Sequence, residues 1–282
     1  MEWLQKVLSE LPASPTFEVG NPLIDHTPTK ALNIPKLQAH WLVSQWVDNK
    51  DEVLSSLQGG VQALSMKAET YSTLGDLDLS QKTIRIVGPS ENLSPKGNLI
   101  LCDEPRPQNF KGKWGIQGDH MVDLLIKAEK VVFQQKYGPV HFLLPAKENF
   151  YLNLAQMRTL RHLWAKIEEA NQAQAGSCSF GVLLPCTGQD SYTEIIARTQ
   201  MATSAICGGA DWLEGEPIPG LEKEFARRLD RNIQHILRWE GHLGEVDDPA
   251  SGSYFLEDLT IKMIEETWST YLETYEKSLS SK

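Results

Sequence analysis

Apolar residues return with a helical period along much of the chain. Phe225, Leu229, Ile233 and Leu237 repeat every four residues, and Leu259, Met263, Trp268, Leu272 and Tyr275 follow a similar spacing. Each set predicts a helix with one apolar face. Between them lies Asp247-Asp248-Pro249-Ala250-Ser251-Gly252-Ser253-Tyr254. Pro249 biases Asp248 away from helix and Gly252 permits a sharp turn, so this stretch predicts an ordered loop. Upstream, Met121, Leu124, Leu125, Ala128, Val131 and Val132 mark one side of a helix over Asp119–Lys136. Asn149 caps a longer one whose apolar face is Phe150, Leu154, Met157, Leu160, Trp164 and Ile167. Ser191-Tyr-Thr-Glu194 has the form of a capping box for a helix running to about Cys207, which Gly208-Gly209 ends. Asn49–Leu57 reads as another helix, closed by Gly59-Gly60.

Short apolar runs between turn signals predict buried parallel strands. They fall at Val61–Met66, Thr83–Val87, Asn98–Cys102, His141–Pro145, Phe180–Leu184 and Ala210–Leu213. From His141 onward strands and helices alternate, which is the signature of a parallel sheet or barrel. Between residues 83 and 113 the connections are too short for full helices, so the N-terminal half of such a barrel is expected to be abbreviated. Residues 1–40 differ again. A short amphipathic helix (Trp3, Leu4, Val7, Leu8, Leu11) is followed by Pro12, Pro15, Pro22, Pro28 and Pro35. That pattern predicts an extended arm, against the chain's own barrel or against a partner. The domain reading is an arm over 1–40 and a barrel over 41–282.

Composition narrows the classes. A net charge of −10 argues against a nucleic-acid partner. No apolar run approaches the roughly 20 residues of a membrane helix, so no membrane partner is expected. Met1–Pro12 lacks the basic-then-apolar order of a signal peptide. Cys102, Cys178, Cys186 and Cys207 are scattered, which suits free thiols in a reducing cytoplasm. The dispersed His120, His141, His162, His235 and His242 suggest no metal triad. Arg227, Arg228, Arg231 and Arg238 lie along one helix with Glu222, Glu224 and Asp230 nearby, a pattern expected of a solvated face.

Arg231-Asn232-x-Gln234-x-Ile236-Leu237, then Glu240, then Asp248-Pro249-Ala250-x-Gly252-Ser253-Tyr254-x-x-Glu257-x-Leu259-Thr260, closely resembles the end of the substrate-binding barrel in the methylmalonyl-CoA mutase family. The run Phe150–Ala165, with Arg158 and Arg161, is similar to that family's aromatic-and-arginine helix. Gly208-Gly209-Ala210-Asp211 matches as well. The resemblance is specific from about 141 to 276. It implies a (βα)8, TIM-barrel-like α/β fold.

The departures shape the functional expectation. The family's cobalamin domain carries Asp-x-His-x-x-Gly, which this chain lacks. Active members also have a His in the loop after the sixth strand, where this chain reads Pro185-Cys186-Thr187-Gly188-Gln189-Asp190. The resemblance therefore implies a small, non-catalytic subunit of a heterodimeric mutase. Adenosylcobalamin and the methylmalonyl-CoA/succinyl-CoA chemistry would then sit on a larger catalytic chain. No catalytic residue and no metal ligand is assigned here. Arg158 and Arg161, just after a strand's C-terminal end, are candidates for contacting a CoA phosphate, with Gly188 and Gln189 on the same rim. The alternative is a stand-alone acyl-CoA-binding barrel without cobalamin chemistry.

Overall fold

The computed structural model describes residues 40–90, 93, 97–102, 110–134, 138–173 and 178–280, with side chains to residue 277. The expected arm lies outside the described residues. Eight parallel strands close into a barrel in chain order: β1 Leu42–Trp46, β2 Ala63–Lys67, β3 Thr83–Val87, β4 Asn98–Leu101, β5 Lys113–Gln117, β6 Val140–Pro145, β7 Ser179–Leu184 and β8 Trp212–Gly215. Closure runs from β8 to β1 through Leu42↔Trp212, Val43↔Leu213 and Ser44↔Glu214. Strands β1 and β5 went unassigned in the sequence. Leu42-Val-Ser-Gln-Trp46 and Lys113-Trp-Gly-Ile-Gln117 mix polar and apolar residues, because one face of each meets a polar lumen.

The helices are α1 Lys50–Gln58, α2 Ala68–Ser72, α3 Met121–Glu129, α4 Phe150–Ala170, α5 Ser191–Cys207, α6 Lys223–Trp239 and α7 Tyr254–Ser280. Helix α3 continues into a π-helical turn at Lys130–Gln134. The abbreviation expected of the N-terminal half is present: α2 is a short helix, and among the described residues no helix follows β3 or β4. Side chains from connecting segments, Leu74 and Leu79 among them, fill that part of the core.

Caps fix the helix starts. The Asn49 side chain accepts from Glu52 N–H, and that of Asn149 from Leu152 N–H. The cap of α5 is Asp190, which accepts from Tyr192 and Thr193 N–H, and not Ser191 as the capping-box pattern suggested. Glu194 turns instead to Thr187, accepting from its N–H at 2.9 Å and its Oγ1 at 2.8 Å.

Outward strand residues such as Met66, Ile84, Ile86, Phe142, Phe180, Val182 and Leu213 are fully buried beneath the helices. Each such side chain stabilises the fold by about 1.5–3 kcal/mol. Helix α6 departs from the expected orientation. Of Phe225, Leu229, Ile233 and Leu237, only Ile233 is buried. The arginines expected in solvent face inward instead. Arg227 donates to Ser56 Oγ at 2.6 Å, Arg231 to Gln45 Oε1 at 3.2 Å, and Arg238 to the Trp41 carbonyl.

Candidate functional site in the barrel lumen

Side chains alternate across a strand, so every second residue of each strand points into the lumen. A TIM barrel ordinarily fills that space with branched apolar residues. Here the upper lumen, toward the strands' C-terminal ends, is polar. Glu214 of β8 accepts from Arg85 Nη2 of β3 at 2.8 Å, from Ser44 Oγ of β1 at 3.3 Å, and from Ser65 Oγ of β2 in a short contact. Arg85 Nε donates to Ser65 Oγ at 3.0 Å. All four residues are buried. The Arg85 guanidinium also lies 5.7 Å from the centroid of the Trp46 ring. Burial works against the charge of Arg85, but Glu214 and then Cys102 more than offset it, and its pKa is raised. Above this pair opens a cavity of about 330 Å³, walled by Trp46, Val87, Gln117, Leu183 and Pro217.

Beneath the pair, Ala63, Ile100, Leu143 and Trp212 form a packed apolar layer across the lumen, each at most 2 % exposed. Below it, at the strands' N-terminal ends, is a second cavity of about 500 Å³, lined by Thr83, Asn98, Lys113, His141, Ser179 and Asp211. His141 Nδ1 lies 2.9 Å from Ser179 Oγ, and its ring meets the Trp212 indole edge-on at 5.3 Å. Burial, then the charges of Lys113 and Arg85, push the His141 pKa well below its ordinary value, so the imidazole is neutral. Position 181 must be glycine for this packing, because a Cβ there would stand 2.8 Å from His141 Nε2. Burial lowers the pKa of Lys113 against the pull of Asp211 and Cys178. Burial also pushes the Cys178 thiol up to about 12, so it is not a nucleophile at neutral pH.

The four expected ligand contacts do not form one site. Arg158 is wholly buried, donating to Thr260 Oγ1 at 3.0 Å, Asp248 Oδ2 at 2.9 Å and Glu257 Oε1 at 3.0 Å. It fastens the Asp-Pro-Ala loop and the start of α7 to α4. Arg161 donates to Asp211 Oδ2 at 2.8 Å and the Gly209 carbonyl at 2.6 Å, with its guanidinium 4.4 Å from the Phe180 ring centroid. Both guanidinium groups are committed to this chain's own residues. Gly188 and Gln189 are exposed in the loop between β7 and α5. Behind that loop, Arg198 is buried against Asp230 at 3.2 Å and Cys186 Sγ at 3.3 Å.

Sequence reasoning missed Arg85, Glu214, Ser44 and Ser65. The available signal was polar residues at alternate positions of otherwise apolar strands, as in Thr83-Ile-Arg-Ile-Val87. Among the described residues no group of three His, Cys, Asp or Glu could hold a metal ion, and no helix is long and apolar enough to cross a membrane.

Comparison with known proteins places these features. A probable methylmalonyl-CoA mutase small subunit of Mycobacterium tuberculosis is 35% identical over 144 residues, covering 47% of this chain and 23% of that one. The methylmalonyl-CoA mutase small subunit of Propionibacterium freudenreichii subsp. shermanii is 30% identical over 148 residues, covering 49% of this chain and 23% of that one. A methylmalonyl-CoA mutase of Rhizobium meliloti is 31% identical over 140 residues, covering 46% and 20%. In each case the match spans less than a quarter of the relative's length. The sequence profile described as Methylmalonyl-CoA mutase fits residues 127–278, from the last turn of α3 into the last turn of α7. That is more than half of the chain and contains the Arg158 and Arg161 pairings, and on this ground the chain belongs to the methylmalonyl-CoA mutase family.

Proposed function

We propose that this chain is the small, non-catalytic subunit of an adenosylcobalamin-dependent acyl-CoA mutase. Methylmalonyl-CoA/succinyl-CoA isomerisation would be carried out by a larger partner chain. The observation that carries this reading is the closed Arg85–Glu214–Ser44–Ser65 network in the upper lumen. Barrel enzymes do their chemistry at the mouth above such a layer. Here Arg85 and Glu214 neutralise each other, and both serines are engaged with the pair. Among the described residues no histidine or tyrosine lines the cavity above them. The small-subunit names of relatives at 30–35% identity support the same reading.

The residues present do not fit cobalamin. The upper cavity, about 330 Å³, is at the small end of ligand pockets, and among the described residues no histidine lines it to serve as an axial ligand. The test is co-expression with a larger mutase chain carrying a cobalamin domain. A stable complex is expected, with turnover by the complex and none by this chain alone. Turnover by this chain alone, or failure of the two chains to associate, would overturn the proposal.

A second reading has its own observation. The lower cavity of about 500 Å³ combines Lys113, Lys111, Asn98 and Ser179, a set suited to an anionic ligand such as a CoA thioester. Calorimetric titration of the isolated chain with a CoA thioester tests it. Saturable binding lost in Lys113→Ala is expected under this reading, and absence of heat removes it.

A further inference from the structure

Helix α6 is amphipathic in the unusual sense. Its inward face is Arg227, Asp230, Arg231, Gln234 and Arg238, all buried. Its outward face carries Phe225, Leu229, Ile236 and Trp239, with Asn232 between them. Phe225 is 39% exposed, Ile236 51% and Trp239 68%. Positions 225, 229, 232, 236 and 239 fall on one stripe of a helix. Three large exposed apolar residues, with the half-buried Leu229 between them, make this face a candidate interface.

The chain itself supplies a cover. Trp41, the second described residue, is seated beneath the C-terminal half of the same helix. Its Nε1 donates to Gln234 Oε1 at 3.2 Å, and the Arg238 guanidinium stands 4.5 Å from its ring centroid. The described chain therefore begins beside the end of α6 that bears Ile236 and Trp239. Within them, Trp3, Leu4, Val7, Leu8 and Leu11 have the spacing of one apolar helix face. Pro12–Ala39 can span up to about 90 Å when extended, against about 25 Å for the length of α6. Arg228 flanks the stripe, stacked 5.2 Å from the Phe225 ring centroid.

We propose that the N-terminal arm folds back on its own barrel and lays the Trp3–Leu11 face along the outer stripe of α6. This goes beyond the subunit assignment, because the chain alone suffices to form the contact. The test uses the full chain with a benzophenone amino acid at position 236, irradiated without any partner. Cross-linked peptides are then identified by mass spectrometry. The expected product joins position 236 to residues 1–39 at the mass of one chain. A companion carrying Trp3→Asp and Leu8→Asp should lower its yield about tenfold by removing the apolar contact. A product at twice the mass would assign the stripe to a second copy and overturn the proposal. So would a single-chain yield that the companion leaves unchanged. Absence of any arm cross-link, followed by cross-linking to a larger mutase chain when one is added, would overturn it while leaving the subunit assignment standing.

Discussion

The two halves of the barrel are built by different means. From β5 onward every strand is followed by a helix of several turns, and buried ion pairs fasten the outer layer. Arg158 holds Asp248 and Glu257, Arg161 holds Asp211, and Arg198 holds Asp230. From β2 to β4 the outer layer is a short helix and connecting segments, and Ile84, Ile86, Leu99 and Leu101 share one apolar cluster with Leu74 and Leu79. A buried charge must meet a specific partner at a specific place, whereas an apolar pocket accepts many residues of similar volume. Sequence identity to a family should therefore persist in the paired half and fade in the other. The family match over 127–278 has that distribution.

The strongest break of this contrast is Arg158→Met. It leaves Asp248 and Glu257 without their cation inside the wall between α4 and α7. Losing one partner of a buried pair costs about 3–5 kcal/mol, and Asp248, being partly exposed, places the expectation at the lower end of that range. Denaturant unfolding measures it. A loss below about 1 kcal/mol would remove the ion pairs as the reason for the family signature.

In the other half, volume should matter and identity should not. Leu79 is 1% exposed and packs under the β2–β4 wall. Leu79→Ala should cost about 3 kcal/mol through the cavity it leaves, while Leu79→Met should stay within about 1.5 kcal/mol. Equal losses in the two variants would contradict the volume argument.

The Arg85–Glu214 pair is a buried ion pair that joins the halves through the lumen. Glu214→Gln should destabilise by about 2–3 kcal/mol, since Arg85 stays buried with a neutral acceptor. Arg85→Met together with Glu214→Met should fall within about 1 kcal/mol of the parent, because two apolar groups of similar volume need no partner. A double variant less stable than the single one would mean that the network specifies the closed barrel.

How much of this was legible follows the same division. Strands rich in Val, Ile, Leu and Phe, and long helices with caps such as Asn49 and Asn149, could be read directly. Strands β1 and β5 were not, because Ser44 and Gly115 interrupt the apolar run on the lumen side. Helix α6 was read with its apolar face inward, the usual rule. The inward arginines could be recognised only with their partners Ser56, Gln45 and Trp41 in place, more than 150 positions away. The lumen network had the same obstacle, since Arg85 and Glu214 are 129 positions apart. Local sequence records which residues can pair and is silent on which distant ones do. Arg158 and Arg161 show this most clearly. Their place after a strand suggested a ligand, and their partners turn out to be on α7 and in the loops before α7 and before β8.

His141 gives the mildest test and reads both halves at once, because Arg85 comes from β3 and Lys113 from β5. Burial, then these two cations, hold its folded pKa well below 6.5. The unfolded chain, with an ordinary imidazole near pH 6.5, takes up a proton before the folded chain does. Between the two values the unfolded state binds more protons, so stability rises with pH. The contribution is fully present above about pH 6.5 and is lost as pH falls toward the folded value, by at most about 1.4 kcal/mol per pH unit. His162, half-buried and also lowered by burial, adds in the same direction. Unfolding free energies at pH 7.5, 6.0 and 5.0 should therefore decline, and His141→Gln should flatten part of that decline. Lys113→Met removes one of the two cations and should raise the folded pKa of His141, so the decline ends at a higher pH and its total is smaller. If His141→Gln follows the same pH curve as the parent, the imidazole is solvated in the folded chain and is not held neutral by burial.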